Sequence, residues 1–176
     1  MNRRLAVCML AIFAALLALG AAPWRSLPPC LIGKWSGITP TDEQGNPTGP
    51  ADPSDWGCLG SSGTVVGFAP SIVEPGPPPI AFCLHPAAPN PLGTATRLTL
   101  EVPRAGHVRV AVWAKKGNGP HNARLARTLI DATLAAGVHQ ILWDGRDDAG
   151  VRLGADLYRV VMESEDGTAC GDIEVR

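Results

Sequence analysis

Apolar and polar residues alternate with a period of two through most of the second half of the chain. RLTLEV places Leu98, Leu100 and Val102 on one face and Thr99 and Glu101 on the other. HVRVAVWA sets Val108, Val110 and Val112 opposite Arg109, and HQILWD aligns His139, Ile141 and Trp143. LYRVVMES puts Tyr158, Val160 and Met162 opposite Arg159, Val161 and Glu163. Short alternating runs broken by Gly, Asp and Pro predict antiparallel strands that bury one face each, as in a β-sandwich. With ARLARTLI (Ala123 to Ile130), ACGDIEV (Ala169 to Val175) and the segment around Cys83, about seven strands are expected. No comparable stretch sustains a helical period, so the predicted fold class is all-β.

The first half has a different pattern. Fifteen of the 17 prolines lie between Pro23 and Pro91. Ile38 to Cys58 (ITPTDEQGNPTGPADPSDWGC) is dense in turn formers, and proline removes donors that a strand ladder needs. Gly63 to Ala69 (GTVVGFA) is the one strand expected there, and Val73 to Phe82 (VEPGPPPIAF) reads as an extended polyproline-type linker. Trp35, Trp56 and Phe68 could form a small core of their own. The chain opens with two positive charges in MNRR, then 15 apolar residues from Leu5 to Leu19 and small residues at Gly20, Ala21 and Ala22. That is a signal-peptide pattern, and it is short for a bilayer that needs about 20 residues. The expected organisation is a signal peptide at 1–22, a Pro-rich, loop-rich segment at 23–82 and a sandwich at 83–176. The protein is expected to be exported to the periplasm, outer-membrane surface or extracellular space, with no membrane span after signal cleavage.

Charge separates the halves again. From Ser26 to Ala95 the only Lys or Arg is Lys34, against five acidic residues, whereas Thr96 to Arg176 carries 11 basic and 11 acidic residues. With a net charge of −1 and no basic stripe, nucleic acid is not an expected partner. Cys8 leaves with the signal, and Cys30, Cys58, Cys83 and Cys170 form an even set that suits two disulfides in an oxidising compartment. Three pairings are open; Cys30–Cys58 with Cys83–Cys170 keeps each bridge within one unit. The cysteines lack the close spacing of zinc sites.

Other chemistry is thin. Asp144, Asp147 and Asp148 could ligate calcium, but their spacing is not that of an EF-hand loop and Arg146 stands among them, so turn capping is the expected role. His85, His107, His121 and His139 show no metal-binding spacing. Neither a Gly-x-Ser-x-Gly elbow nor a phosphate-cradling loop is present, and a non-catalytic protein without cofactor is expected. Lys115, Lys116 and His121 mark a long hairpin loop. The last strand offers an edge on which a partner could dock.

Two stretches resemble known families. His85 to Pro103 (HPAAPNPLGTATRLTLEVP), with Asn90-Pro91 before a Thr-rich strand, resembles the opening of the C-terminal sorting domains of the type IX secretion system. Arg127 to Ser164 resembles the immunoglobulin-like domain of the flagellar hook-capping protein: Trp143-Asp144-Gly145, then Asp147 to Gly150, then Gly154 to Tyr158. The likeness implies an Ig-like sandwich that acts as a secretion-sorting or surface-anchoring module, with secretion or anchoring machinery as partner. The alternative is a structural or adhesive protein contacting neighbouring envelope proteins. The loop Ala114 to Ala123 is longer than the pattern's turn, and Cys83 with Cys170 is an unusual addition.

Overall fold

Alternation survives as strands wherever it is regular. The computed structural model describes residues 28–32, 35–60, 65–67, 77–115 and 123–176, with backbone only at 65–67. The expected signal peptide, Cys8, Phe68, Lys116 and His121 lie outside the described residues. One helical turn, α1 (Pro29–Ile32), precedes β1 (Gly57–Leu59), β2 (Val65–Gly67), β3 (Cys83–Leu84), β4 (Thr96–Val102) and β5 (Gly106–Lys115). Then come β6 (Ala123–Leu134), β7 (Gly137–Trp143), β8 (Asp156–Ser164) and β9 (Gly167–Val175). They form two antiparallel sheets, in the orders β2-β1-β3-β4-β7 and β6-β5-β8-β9. The seven strands expected from residue 83 onward are β3 to β9. Among the described residues no helix is long and apolar enough to cross a membrane.

The sheets close over one interior. Leu98, Leu100 and Val102 of β4, Val108, Val110 and Val112 of β5, and Val160 and Met162 of β8 are fully buried in a single cluster. Each such side chain contributes about 1.5–3 kcal/mol when taken from water. A one-residue slip would turn Arg109 or Arg159 inward, so the pattern also fixes the register.

Part of the first half is built into the sandwich. Its β1 and β2 extend the sheet of β3, β4 and β7, so the pairing crosses the boundary expected at 82/83. Trp56, expected in a separate small core, is 0 % exposed within the sandwich interior. A second cluster covers the outer face of the other sheet: Leu31, Ala111, Trp113, Val161 and Cys170, with Cys30 and Trp35 against them. Both faces of β8 are therefore buried, which explains why Arg159 and Val161, on its outer face, are as inaccessible as Val160.

The disulfide pairing needs correction. β1 lies directly against β3 with Cys58 opposite Cys83, and these two are joined. Cys30–Cys58 and Cys83–Cys170 are not formed; Cys30 and Cys170 are thiols. The reason is topological, since β1, which the turn-rich sequence conceals, pairs with the strand that holds Cys83.

Trp56 is held in an uncommon backbone state, with a φ of 56°. Its N–H donates to the Cys170 carbonyl at 2.6 Å, and its ring packs against Gly171. A Cβ at residue 171 would fall inside the indole, so glycine is required there by close approach. Gly171→Ala is expected to destabilise the fold by at least about 1–3 kcal/mol, the usual range for overpacking. Gly93→Ala, with nothing within 4 Å of the added carbon, should change stability by no more than about 0.5 kcal/mol. Urea unfolding of the two variants beside the parent checks this.

Candidate functional site

Four strand edges bound the two sheets: β2 and β7 on one, β6 and β9 on the other. Unpaired N–H and C=O groups on such an edge are what a partner strand would use, so the occupancy of each edge decides where a partner could add.

The edge of β9, expected to be a docking edge, is already occupied by the chain itself. Cys170 O accepts from Trp56 N at 2.6 Å, and Asp172 N donates to Asp55 Oδ2 at 2.9 Å. Asp172 O accepts from Asn90 Nδ2 at 2.9 Å, Glu174 N donates to Asn90 Oδ1 at 3.1 Å, and Glu174 O accepts from Leu92 N at 2.7 Å. Asn90, which the sequence marks through its Asn-Pro motif, is fully buried and links both halves. Its Nδ2 also donates to Thr39 O at 3.2 Å, and its backbone pairs with Thr41 in both directions. The peptide bond from Asn90 to Pro91 is cis.

An ionic cluster lies beneath this edge. Arg159 donates through Nε and Nη2 to the two Asp172 oxygens at 2.6 and 2.7 Å, and through Nη1 to Cys30 O at 2.7 Å. The Trp35 ring centroid is 5.0 Å from its guanidinium carbon. Asp55 is 1 % exposed, with Oδ1 3.8 Å from Arg159 Nη2. One guanidinium thus faces two buried carboxyls. Asp172 has the bidentate bonds that favour the ionised form, but burial outweighs them and raises its pKa above the ordinary carboxylate value. Asp55 is pushed up to about 7, first by burial and then by the Asp172 charge.

The motif residues converge at one end of the sandwich. Trp143 and Tyr158 meet edge to face with centroids 6.0 Å apart. Trp143 Nε1 donates to Arg146 O at 3.0 Å and Tyr158 OH to Gly154 O at 2.9 Å. Gly145 and Gly150 have φ of 69° and 78°, conformations that a side chain opposes. The calcium candidates act on the backbone: Asp144 Oδ1 accepts from Arg146 N, Asp147 Oδ1 from Ala149 N and Val151 N, and Asp148 Oδ1 from Thr128 N. Asp148 N also donates to Ala126 O, so this turn covers part of the β6 edge.

The histidines are dispersed. His85 contacts Glu101 at 3.0 Å, His107 contacts Asp131 at 3.0 Å, and His139 contacts Ala135 O at 2.8 Å. Donor atoms of Cys83, His85 and Glu101 lie within 4.8 Å of one another, but the Cys83 sulfur is bonded to Cys58. A shallow cleft of about 250 Å³ is lined by His107, Arg109, Glu163, Ser164 and Glu165. Its Arg109 is already paired with Glu163 at 2.6 Å.

The β7 edge differs from the others. Among the described residues β7 has a strand neighbour, β4, on one side only. Its seven residues, GVHQILW, include no Lys, Arg, Asp, Glu or Pro. Leu142 is 74 % exposed and Val138 49 %. Sequence alternation identifies the inward set His139, Ile141 and Trp143, but not the strand order that leaves β7 outermost. No family model, curated protein or solved structure matches this chain.

The buried carboxyl gives a pH signature. Because the folded-state pKa of Asp55 is raised, the folded protein retains a proton that the unfolded chain releases. Stability from this group is therefore greatest in acid and falls as pH rises from about 4 to about 7. Asp55→Asn keeps an acceptor for Asp172 N and removes the titration. Its stability relative to the parent should rise by a few kcal/mol at most across that window, at about 1.4 kcal/mol per pKa unit. Parallel denaturant unfolding at pH 5 and pH 7.5 checks the difference.

Proposed function

We propose that the protein is a non-catalytic exported contact module whose Ig-like sandwich adds a strand of a neighbouring envelope protein along β7. The observation that carries this reading is the open β7 edge. Exposed edge strands ordinarily bear charges, proline or a cover that prevents pairing; β7 has none of these among the described residues, and Leu142 and Val138 stand on its outer face. An incoming strand would gain backbone hydrogen bonds from the edge, with alternate apolar side chains packing beside Leu142 and Val138.

A secretion-sorting or surface-anchoring role is the second reading, favoured by the Asn90-Pro91 and Trp143 to Tyr158 patterns. In that role the whole folded body would be the signal, because the segment before residue 83 supplies Trp56 and two strands to it. Cleavage near residue 83 would leave an incomplete sandwich.

A photo-crosslinking residue at position 142, in the cell that exports the protein, is expected to give a discrete protein adduct that Val138→Lys abolishes. The same probe at position 174, beside the occupied β9 edge, should give none. Equal adducts at both positions, or none at 142, would contradict edge docking. Enrichment of the intact chain in the mature envelope fraction separates contact from sorting by cleavage.

A further inference from the structure

Cys30 and Cys170 come from opposite ends of the chain and meet on the outer face of β8 and β9. Cys170 is buried at 9 % exposure among Leu31, Ala111, Trp113 and Val161, with Cys30 packed against this cluster. The two thiols are hydrogen-bonded to each other. Arg159 Nη1, donating to Cys30 O at 2.7 Å, holds the turn of α1 in place over β8. The other two described cysteines are bonded to each other, so each of these thiols has one available partner within the fold.

We propose that Cys30 and Cys170 form a redox pair that closes to a second disulfide, with Cys30 as the attacking thiol and Cys170 as the resolving one. Access supports the order, since Cys30 is partly exposed and Cys170 is buried. Electrostatics agrees: the hydrogen bond from Cys170, followed by the Arg159 charge, lowers the Cys30 pKa against the effect of burial. The same hydrogen bond together with burial raises that of Cys170. The thiolate is the reactive form, so reaction begins at Cys30.

The oxidant is an external disulfide, either a protein disulfide or a small-molecule one of the glutathione type. The Cys30 sulfur attacks one of its sulfurs and forms a mixed disulfide; the departing thiolate takes up the proton that Cys30 lost. Cys170 then loses its proton and attacks the Cys30 sulfur, forming the Cys30–Cys170 bond and expelling the second thiolate, which is protonated. Two protein thiols have given up two electrons and two protons, and one external disulfide has become two thiols. Closure ties α1 covalently to β9, the strand whose outer edge the following segment occupies. This inference is independent of docking at β7.

Trypsin separates the alternatives. Cys30 lies in peptide 26–34, Cys170 in 160–176, both Cys58 and Cys83 in 35–97, and Cys8 in 5–25. Full-length protein is equilibrated with glutathione disulfide, its remaining thiols are alkylated, and the digest is mapped without reduction. The expected product links 26–34 to 160–176, with 35–97 bridged internally. A link from either of the first two peptides to 35–97 or 5–25, or alkylation of both Cys30 and Cys170, would overturn the pairing. The order of attack is read from two folded variants. Cys170→Ser should accumulate glutathione on Cys30, and Cys30→Ser should leave Cys170 unmodified for far longer. The opposite reactivity would overturn the assignment.

Discussion

The outer edge of β9 must have hydrogen-bond partners, and the segment before residue 83 together with the Asn90 loop provides them. Backbone groups of Cys170, Asp172 and Glu174 are bonded to Trp56, Asp55, Asn90 and Leu92. A buried polar group left unpaired costs about 1–3 kcal/mol, so losing these partners together would strip the strand of a large part of a typical domain's stability. Other features follow from this closure. Trp56 enters the interior and demands Gly171, Asp55 is carried into the low-dielectric space beside Arg159, and Cys30 reaches Cys170. Among the described residues, β7 is left as an edge strand without charge or proline.

Legibility in the sequence divides along physical lines. β4, β5, β7 and β8 are readable because the face turned to the interior carries a mostly apolar set at every second position, and Leu98, Val110, Ile141 and Met162 all point as the pattern requires. Turn chemistry is equally local: Asp147 and Gly150 do what Asp and Gly do in any tight turn. β1 is hidden because its three residues, Gly57–Leu59, are too few for a period, and its pairing with β3 is a long-range choice. The Cys30–Cys58 and Cys83–Cys170 assignment fails for the same reason. It takes the proline-rich half as a separate unit, whereas proline and turn residues there serve irregular backbone packed against the sheets. Arg159 and Val161 carry a weak signal, since Val161 is apolar on the supposed solvent face of β8. That face is covered by Leu31 and its neighbours.

The candidate site is the least legible part. Alternation identifies the faces of β7 but cannot tell an edge strand from a central one, and the absence of charge in GVHQILW acquires meaning only once the strand order is known. Asn90 stands out in the sequence through its resemblance to a sorting motif, yet its geometry makes it structural. Side-chain and backbone hydrogen bonds of Asn90 join Thr39 and Thr41 to Asp172 and Glu174. The turn from Trp143 to Tyr158 is likewise a hydrogen-bonded cap, tied to β6 through Asp148. Both patterns are compatible with recognition of the whole body, and neither contains reactive chemistry.

The central claim, that upstream segment and sandwich form one cooperative unit, is tested most directly by native-state hydrogen exchange. The account predicts that the Trp56 and Asp172 amides exchange only through the same global opening as the Val110 and Val161 amides at the centre of the second sheet. Exchange of Trp56 and Asp172 through a separate, lower-energy opening, while Val110 and Val161 remain protected, would contradict it.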